Sequence, residues 1–310
     1  MPNEHHRPVL LEECVEALAV RPDGRYIDGT FGRGGHSRAI LARLGPAGRL
    51  LGLDRDPEAL AAGRELAGQD PRFSMARGRF AELGAIAERM GLSGQIDGIL
   101  LDIGVSSPQL DDPSRGFSFS AEGPLDMRMD PDSGESAAQW LAVASEAEIA
   151  RVLRELGEER FAGRIARAIV QARLQGPIRT TRTLATLCEA AVPSREPGKH
   201  PATRTFQAIR IHINRELDEL VTCLAQVCDL LAAGGRLAVI SFHSLEDRIV
   251  KRFVRDQARG ERFPRGVPVT AAEARPRLRP IGRAIHASPA EVAANPRSRS
   301  AVLRVAERLP

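Results

Sequence analysis

Much of what would classify this chain at once is missing from it. No apolar run approaches the roughly 18 residues a membrane-spanning helix needs, so no segment reads as a bilayer span. Residues 1–11 are polar, with Glu4, His5, His6 and Arg7, where a secretory signal would need an apolar stretch; the expectation is a cytoplasmic protein. Cys14, Cys188, Cys223 and Cys228 show no CxxC spacing, which argues for reduced, half-buried thiols rather than a zinc cluster or a disulfide framework. No metal site is expected. Lysine occurs only at Lys199 and Lys251, so arginine carries nearly all the positive charge.

What is present is a core and an uneven charge. With 310 residues, 43% of them hydrophobic, the chain can bury one large core or a core plus a smaller satellite. The net charge of +4 conceals a split: residues 251–310 hold 14 Lys or Arg against 5 Asp or Glu, whereas the first 250 hold 30 against 35. A basic final stretch on an acidic chain fits a polyanion partner, and equally a solvated arginine-rich surface; charge alone leaves both open.

Apolar strands alternate with helical patterns over the first 110 residues. Strands are expected at 25–28, 49–54, 73–76 and 96–102, with helices at 35–44, 57–67 and 80–90 between them. This βα alternation predicts a parallel, doubly wound α/β sheet covered on both faces. The next strand pattern, Arg236-Leu-Ala-Val-Ile240, comes only after a long gap, far more chain than a crossover requires. The surplus has helical patterns of its own at 136–156, 158–174 and 183–191. Pro108, Pro113, Gly116, Gly123, Pro124 and Pro131 precede it, and Pro193, Pro197 and Pro201 close it. The expectation is a discontinuous α/β domain, 1–110 with 206–310, carrying an inserted helical subdomain over 111–205. One long helix at 203–232 returns to the sheet, a helix follows at 245–259, 260–299 is irregular, and a last strand covers 300–306.

Chemistry concentrates at the strand ends. The first strand runs into Asp28-Gly-Thr-Phe-Gly-Arg-Gly-Gly-His36, whose glycines let backbone approach a ligand at a helix N-terminus. Dehydrogenases, flavoproteins and methyltransferases all use such a loop. The dinucleotide fingerprint fails here, because its third glycine position is Ser37; this and the leading acid Asp28 favour a nucleoside without pyrophosphate over NAD. Asp54 closes the second strand, where an acid can accept bonds from both ribose hydroxyls. Asp102 closes the fourth and is followed by the small, turn-forming Ser106-Ser-Pro-Gln109, a partial echo of the motif that amino-group methyltransferases place there.

Several longer stretches resemble a single family. They are FGRGGH at 31–36, DIGVSSPQLDD at 102–112, GFS at 116–118, PLDMRMD at 124–130, GEERF at 157–161, HPATRTFQAI at 200–209 and ISFHSLEDRIVKR at 240–252. Together they are similar to the bacterial ribosomal RNA small-subunit methyltransferase H family (RsmH, also called MraW). The resemblance covers nearly the whole chain; 260–295 is the least distinctive part.

It implies a class I methyltransferase fold, Rossmann-like, that uses S-adenosylmethionine (SAM). The implied product is a methyl group on the exocyclic N4 of a decoding-centre cytidine, position 1402 of 16S rRNA in the small ribosomal subunit. On matching positions it implies SAM contacts at Gly34, Gly35, His36, Asp54, Phe80, Asp102 and Gln109, with Phe80 packing on adenine. It makes the insertion an RNA-facing lobe.

Transfer to a cytosine amine needs in-line alignment of nitrogen, methyl and sulfur. It also needs acceptors for the amine protons, which localise a lone pair otherwise delocalised into the ring. Asp102, Ser107 and Pro108, with the backbone carbonyls around them, are the expected catalytic group. Ser241 and His243, after the fifth strand, are substrate-side candidates. Arg204, Arg210, Lys251, Arg252 and Arg255 are expected to grip phosphates, with Phe206, Phe242, Phe253 and Phe263 interleaved among them. The oligomeric state stays open, a homodimer among the options.

Overall fold

The computed structural model describes residues 8–193, 198, 200–260 and 275–310. Glu4, His5, His6, Arg7, Pro197, Lys199 and Phe263, named above, lie outside them. Two compact units emerge: the chain up to Gly104 together with Leu217–Pro310, and Val105–Glu216.

The first unit is an open twisted sheet. Strands β1 (Arg25–Asp28), β2 (Arg49–Asp54), β3 (Phe73–Arg77), β4 (Ile96–Asp102) and β5 (Leu231–Ser241) run parallel in the order β3-β2-β1-β4-β5. Beyond β5 the sheet turns antiparallel: β6 (Leu278–Pro280) and β7 (Ile285–His286) both pair with β8 (Val302–Arg308), which lies against β5. Period-two alternation sets the faces. Ile27, Leu51, Ile99, Leu101, Leu237 and Val239 point into one core, shared with Leu83, Leu224 and Val250. Tyr26, Leu50, Leu100 and Ala238 point into the other, with Leu10, Cys14, Leu18 and Ile40. Helices α1 (Leu11–Leu18), α2 (Gly35–Arg43) and α3 (Pro57–Gln69) supply the second core, and α4 (Leu83–Arg89) the first. Both faces are thus covered, as the near-continuous apolar strands require.

The second unit is helical. It holds α5 (Ser107–Asp111), α6 (Ala137–Val143), α7 (Glu146–Gly157), α8 (Ala162–Gln175), α9 (Thr181–Ala191) and α10 (Thr203–Asn214). Trp140, Ile149, Leu153, Ile165, Ile169, Leu184 and Phe206 form its core. The chain then re-enters the first unit through α11 (Glu216–Leu230), and α12 (Ser244–Arg259) and α13 (Pro289–Ala294) flank the last strands.

Several expected elements divide or shift. The helix at 136–156 is two, because Ser145 has extended backbone and its hydroxyl accepts the Glu148 amide at 3.2 Å, capping a new start. The helix at 158–174 begins only at Ala162: Glu158 has φ +50°, and the Glu159 carboxylate accepts the Phe161 amide. The helix at 203–232 breaks at Arg215, whose φ of +52° ends α10. Asn214 is committed sideways there, donating to the Met127 and Arg210 carbonyls at 2.7 and 2.9 Å and accepting the Met129 amide at 2.8 Å. Because α10 gives Phe206, Ala208 and Ile209 to the helical core, the unit boundaries fall at Val105 and Glu216 rather than at 111 and 205. The span 260–299 is less irregular than expected, since it contains β6, β7 and α13.

Candidate active site

The loop after β1 is stitched down before it reaches any ligand. Gly29 donates to the Leu100 carbonyl and Phe31 to the Leu53 carbonyl, each at 2.9 Å, so the turn is pinned to both neighbouring strands. Gly34 takes φ +74° to start α2, and a Cβ there would stand 2.5 Å from the Phe31 ring, so glycine is required twice over. Thr30 ties the loop to β4, accepting the Asp102 amide at 2.6 Å.

Three carboxylates end the neighbouring strands β1, β2 and β4. Asp28 is buried; one oxygen takes the Ser37 hydroxyl at 2.7 Å and the other the Thr30 amide at 3.2 Å. Burial still pushes its carboxyl up to about 6, against the pull of those two bonds. Asp54 is gripped by backbone: Gly32 donates to Oδ2 at 2.8 Å, and Arg55 and Asp56 to Oδ1 at 2.8 and 3.0 Å. Burial nonetheless raises its pKa. Asp102 is pushed up to about 8, by burial first and then by the charges of Asp28 and Glu246. Its Oδ1 is enclosed and has no hydrogen-bond partner among the described residues.

His36 completes this edge. Nε2 lies 3.2 Å from the Val9 carbonyl, which can only accept, so Nε2 carries the proton. Nδ1 is then the bare nitrogen, 3.7 Å from Asp102 Oδ2, a contact too long for a hydrogen bond. Burial pushes the imidazole down to about 4, so it is neutral and offsets none of the negative charge. Among the described residues neither Asp28, Asp54 nor Asp102 has a lysine or arginine partner. Backbone that can be approached closely, rigid acceptors and uncompensated negative charge therefore meet at one sheet edge. Such a place suits a nucleoside that carries positive charge.

The other predicted residues divide between the units. Phe80 opens a short 3₁₀ turn after β3, half-buried; the Cβ position at Gly29 is 3.9 Å from the Phe80 Cβ, which sets Phe80 beside the start of the glycine loop. Gly35 is the first residue of α2. Ser107 and Pro108 are the first two residues of α5 and Gln109 the third, all in the helical unit. The Gln109 side-chain oxygen accepts the Ser106 amide at 2.9 Å, a capping box that commits one end of the expected SAM ligand to the helix start.

Ser241 ends β5, and His243 directly precedes α12. Lys251, Arg252 and Arg255 are exposed on α12. Lys251 and Arg255 line a groove of about 290 Å³ with Arg259, Arg283 and Arg304, although Arg255 also bonds Asp256 and Arg304 bonds Asp247. Phe253 packs on the core beside it. Two expected phosphate ligands are spent internally. Arg210 forms a two-pronged pair with the buried Glu216, both contacts at 2.9 Å, and Arg204 donates to the Glu158 carbonyl. The phosphate-gripping role expected of Arg210 is withdrawn on this geometry, and Phe206 is a core residue.

Sequence reasoning missed Thr30, a hydroxyl that no motif singles out, and Glu246. A signal for Glu246 existed: an acid three residues after the start of a helix that follows a strand is a capping-box position.

The sequence profile of the MraW methylase family matches residues 3–309. A ribosomal RNA small subunit methyltransferase H of Thioalkalivibrio sulfidiphilus is 65% identical over 309 residues, 99% of this chain and 98% of that protein. Proteins of the same name from Thiobacillus denitrificans and Halorhodospira halophila are 62% and 61% identical, covering 98% of this chain and 97% and 94% of their own lengths. A match that runs from end to end, with relatives above 60% identity over nearly their whole length, places this chain in the MraW methylase family.

Proposed function

We propose that this protein transfers the methyl group of SAM to the exocyclic N4 of a cytidine in the 16S rRNA of the small ribosomal subunit, working in the cytoplasm. The observation that carries the SAM assignment is the acidic edge of Asp28, which is buried, and Asp54 and Asp102, which are half-buried, with no lysine or arginine partner among the described residues. When bound there, SAM supplies an electrophilic methyl on a positively charged sulfur. Asp54 would hold the ribose: its Oδ2, fixed by the single Gly32 bond, keeps a lone pair for a hydroxyl. Phe80 would pack on adenine, Gly34, Gly35 and His36 would border the amino-acid end, and Gln109 is the remaining expected SAM contact.

The RNA substrate follows the name of the relatives, and the basic α12 surface agrees with it. Lys251 and Arg252, with Arg255, would grip phosphates, and the helical unit 105–216 would face the RNA. At the reacting centre the chain's task is to align the amine with the methyl carbon and to give its N–H groups acceptors, so that the nitrogen lone pair is freed as the bond forms. Asp102, with the backbone around Ser107 and Pro108, fills that role. Titration calorimetry of the purified protein with SAM and with its demethylated product S-adenosylhomocysteine (SAH) tests the reading. Binding of both is expected, and Asp54→Ala should weaken it by at least about tenfold. Absence of any heat of binding from folded protein would remove the proposal.

A further inference from the structure

The turn between β5 and α12 buries more polar atoms than the fold uses. Ser241 is 1% exposed and its Oγ has no hydrogen-bond partner among the described residues. The His243 side chain is 10% exposed, and its Nδ1 is likewise enclosed and unpartnered. One strand over, Asp102 Oδ1 is in the same condition; β4 and β5 pair Asp102 with Ile240, so Ser241 stands one residue past that register. Interiors rarely leave such atoms unpaired, and three of them, at the ends of β4 and β5 and in the turn after β5, call for a partner that the described residues do not supply.

Glu246 explains how the turn is held. Fully buried, it reaches back from the first turn of α12: Oε2 accepts the Phe242 and His243 amides at 2.8 and 3.3 Å. Oε1 sits 2.9 Å from His243 Nε2, close enough to bond, although off the line of a good hydrogen bond. A carboxylate on that side favours the tautomer with its proton on Nε2. Nδ1 is then a bare acceptor.

We propose that His243 Nδ1 takes the proton that the substrate amine must shed, and that Glu246 is the positioning residue that fixes the imidazole for it. The proposal rests on the methyl-transfer reading and adds the proton's destination. The amine nitrogen bonds to the methyl carbon while the carbon–sulfur bond breaks and its electron pair stays on sulfur. The nitrogen, now carrying one proton too many, passes it to Nδ1, and the imidazolium is stabilised by the Glu246 carboxylate. A primary amine offers two N–H groups; Asp102 Oδ1 is the acceptor for the other. The ligand class is therefore a nucleobase bearing an exocyclic amine.

The test compares wild type, His243→Ala, Glu246→Gln and the double variant, each checked for SAH affinity by calorimetry and for methyl transfer to small-subunit RNA. Expected are SAH affinities within about twofold of wild type, unchanged KM for RNA, and kcat lowered about a hundredfold by His243→Ala. Glu246→Gln should lower kcat at least about tenfold, and the double variant should be no worse than His243→Ala. A single variant that keeps kcat within about threefold, or one whose loss lies in KM alone, overturns the proposal.

Should the variants not fold, ¹⁵N NMR of histidine-labelled wild type decides. Nδ1 of His243 should be unprotonated, and its shift should move when cytidine monophosphate is added in the presence of SAH. The opposite tautomer, or an unmoved shift, overturns the proposal. A wild type that methylates nothing is a different failure, that of the underlying reading.

Discussion

At the scale of single residues, Asp102 decides most. Folded, it keeps its proton up to about 8, whereas an ordinary aspartate loses it near 3.8. The folded state therefore binds the extra proton, and the stability this contributes is complete at low pH and lost as pH rises through about 8. Asp28 behaves the same way, its loss running from its ordinary 3.8 and finished near 6, and His36, pushed down from 6.5 to about 4, works in the opposite sense below 6.5. Between pH 6.5 and 8 Asp102 dominates the three. The Tm of the ligand-free protein should fall across that window, by up to about 1.4 kcal/mol of stability per pH unit, and Asp102→Asn should flatten the slope. A bound sulfonium favours the ionised carboxylate, so SAM should release a proton on binding near pH 7, seen as a heat that varies with the buffer's ionisation enthalpy. A Tm that is flat from pH 6.5 to 8 in wild type would show Asp102 ionised throughout.

At the scale of elements, the first four parallel strands were legible because each is an apolar run closed by Asp or Gly, and their bounds hold nearly to the residue; β5 starts at Leu231, five residues before the expected Arg236. The helices of the second unit were legible as helical but not as separate pieces. Their breaks depend on side chains turning back onto distant backbone, as Ser145 does locally and Asn214 does across 85 residues to Met129. No periodicity carries that information. Asn214 satisfies one buried amide and two carbonyls, so Asn214→Ala should leave buried partners unpaired and cost about 2–4 kcal/mol in urea unfolding. A loss below about 1 kcal/mol would mean that water replaces it. The site was legible in the same uneven way. Gly34, His36, Asp54 and Asp102 sit together because strand ends and glycines mark the sheet edge. Arg210 was misjudged because its buried partner, Glu216, lies beyond a helix break that the sequence does not announce.

At the scale of the whole molecule, the charge split acquires a location. The acidic part of the chain builds the strand ends, while Lys251, Arg252, Arg255 and Arg259 lie on one helix and Lys251, Arg255, Arg259, Arg283 and Arg304 line one groove. RNA affinity should fall steeply with salt. Lys251→Ala should reduce the slope of log affinity against log salt by about 0.7–0.9, the share of one phosphate contact, while leaving SAH binding unchanged. An unchanged slope would place the RNA elsewhere. The central claim, methyl transfer to one cytidine amine, is met most directly by mass-spectrometric mapping. Small subunits from cells lacking this gene would be incubated with the purified protein and SAM, and their RNA digested. The account predicts one added methyl group, on the base of a single 16S cytidine and at its exocyclic nitrogen; RNA unmodified by a protein that binds SAH, or a methyl on ribose or on ring carbon, would contradict it.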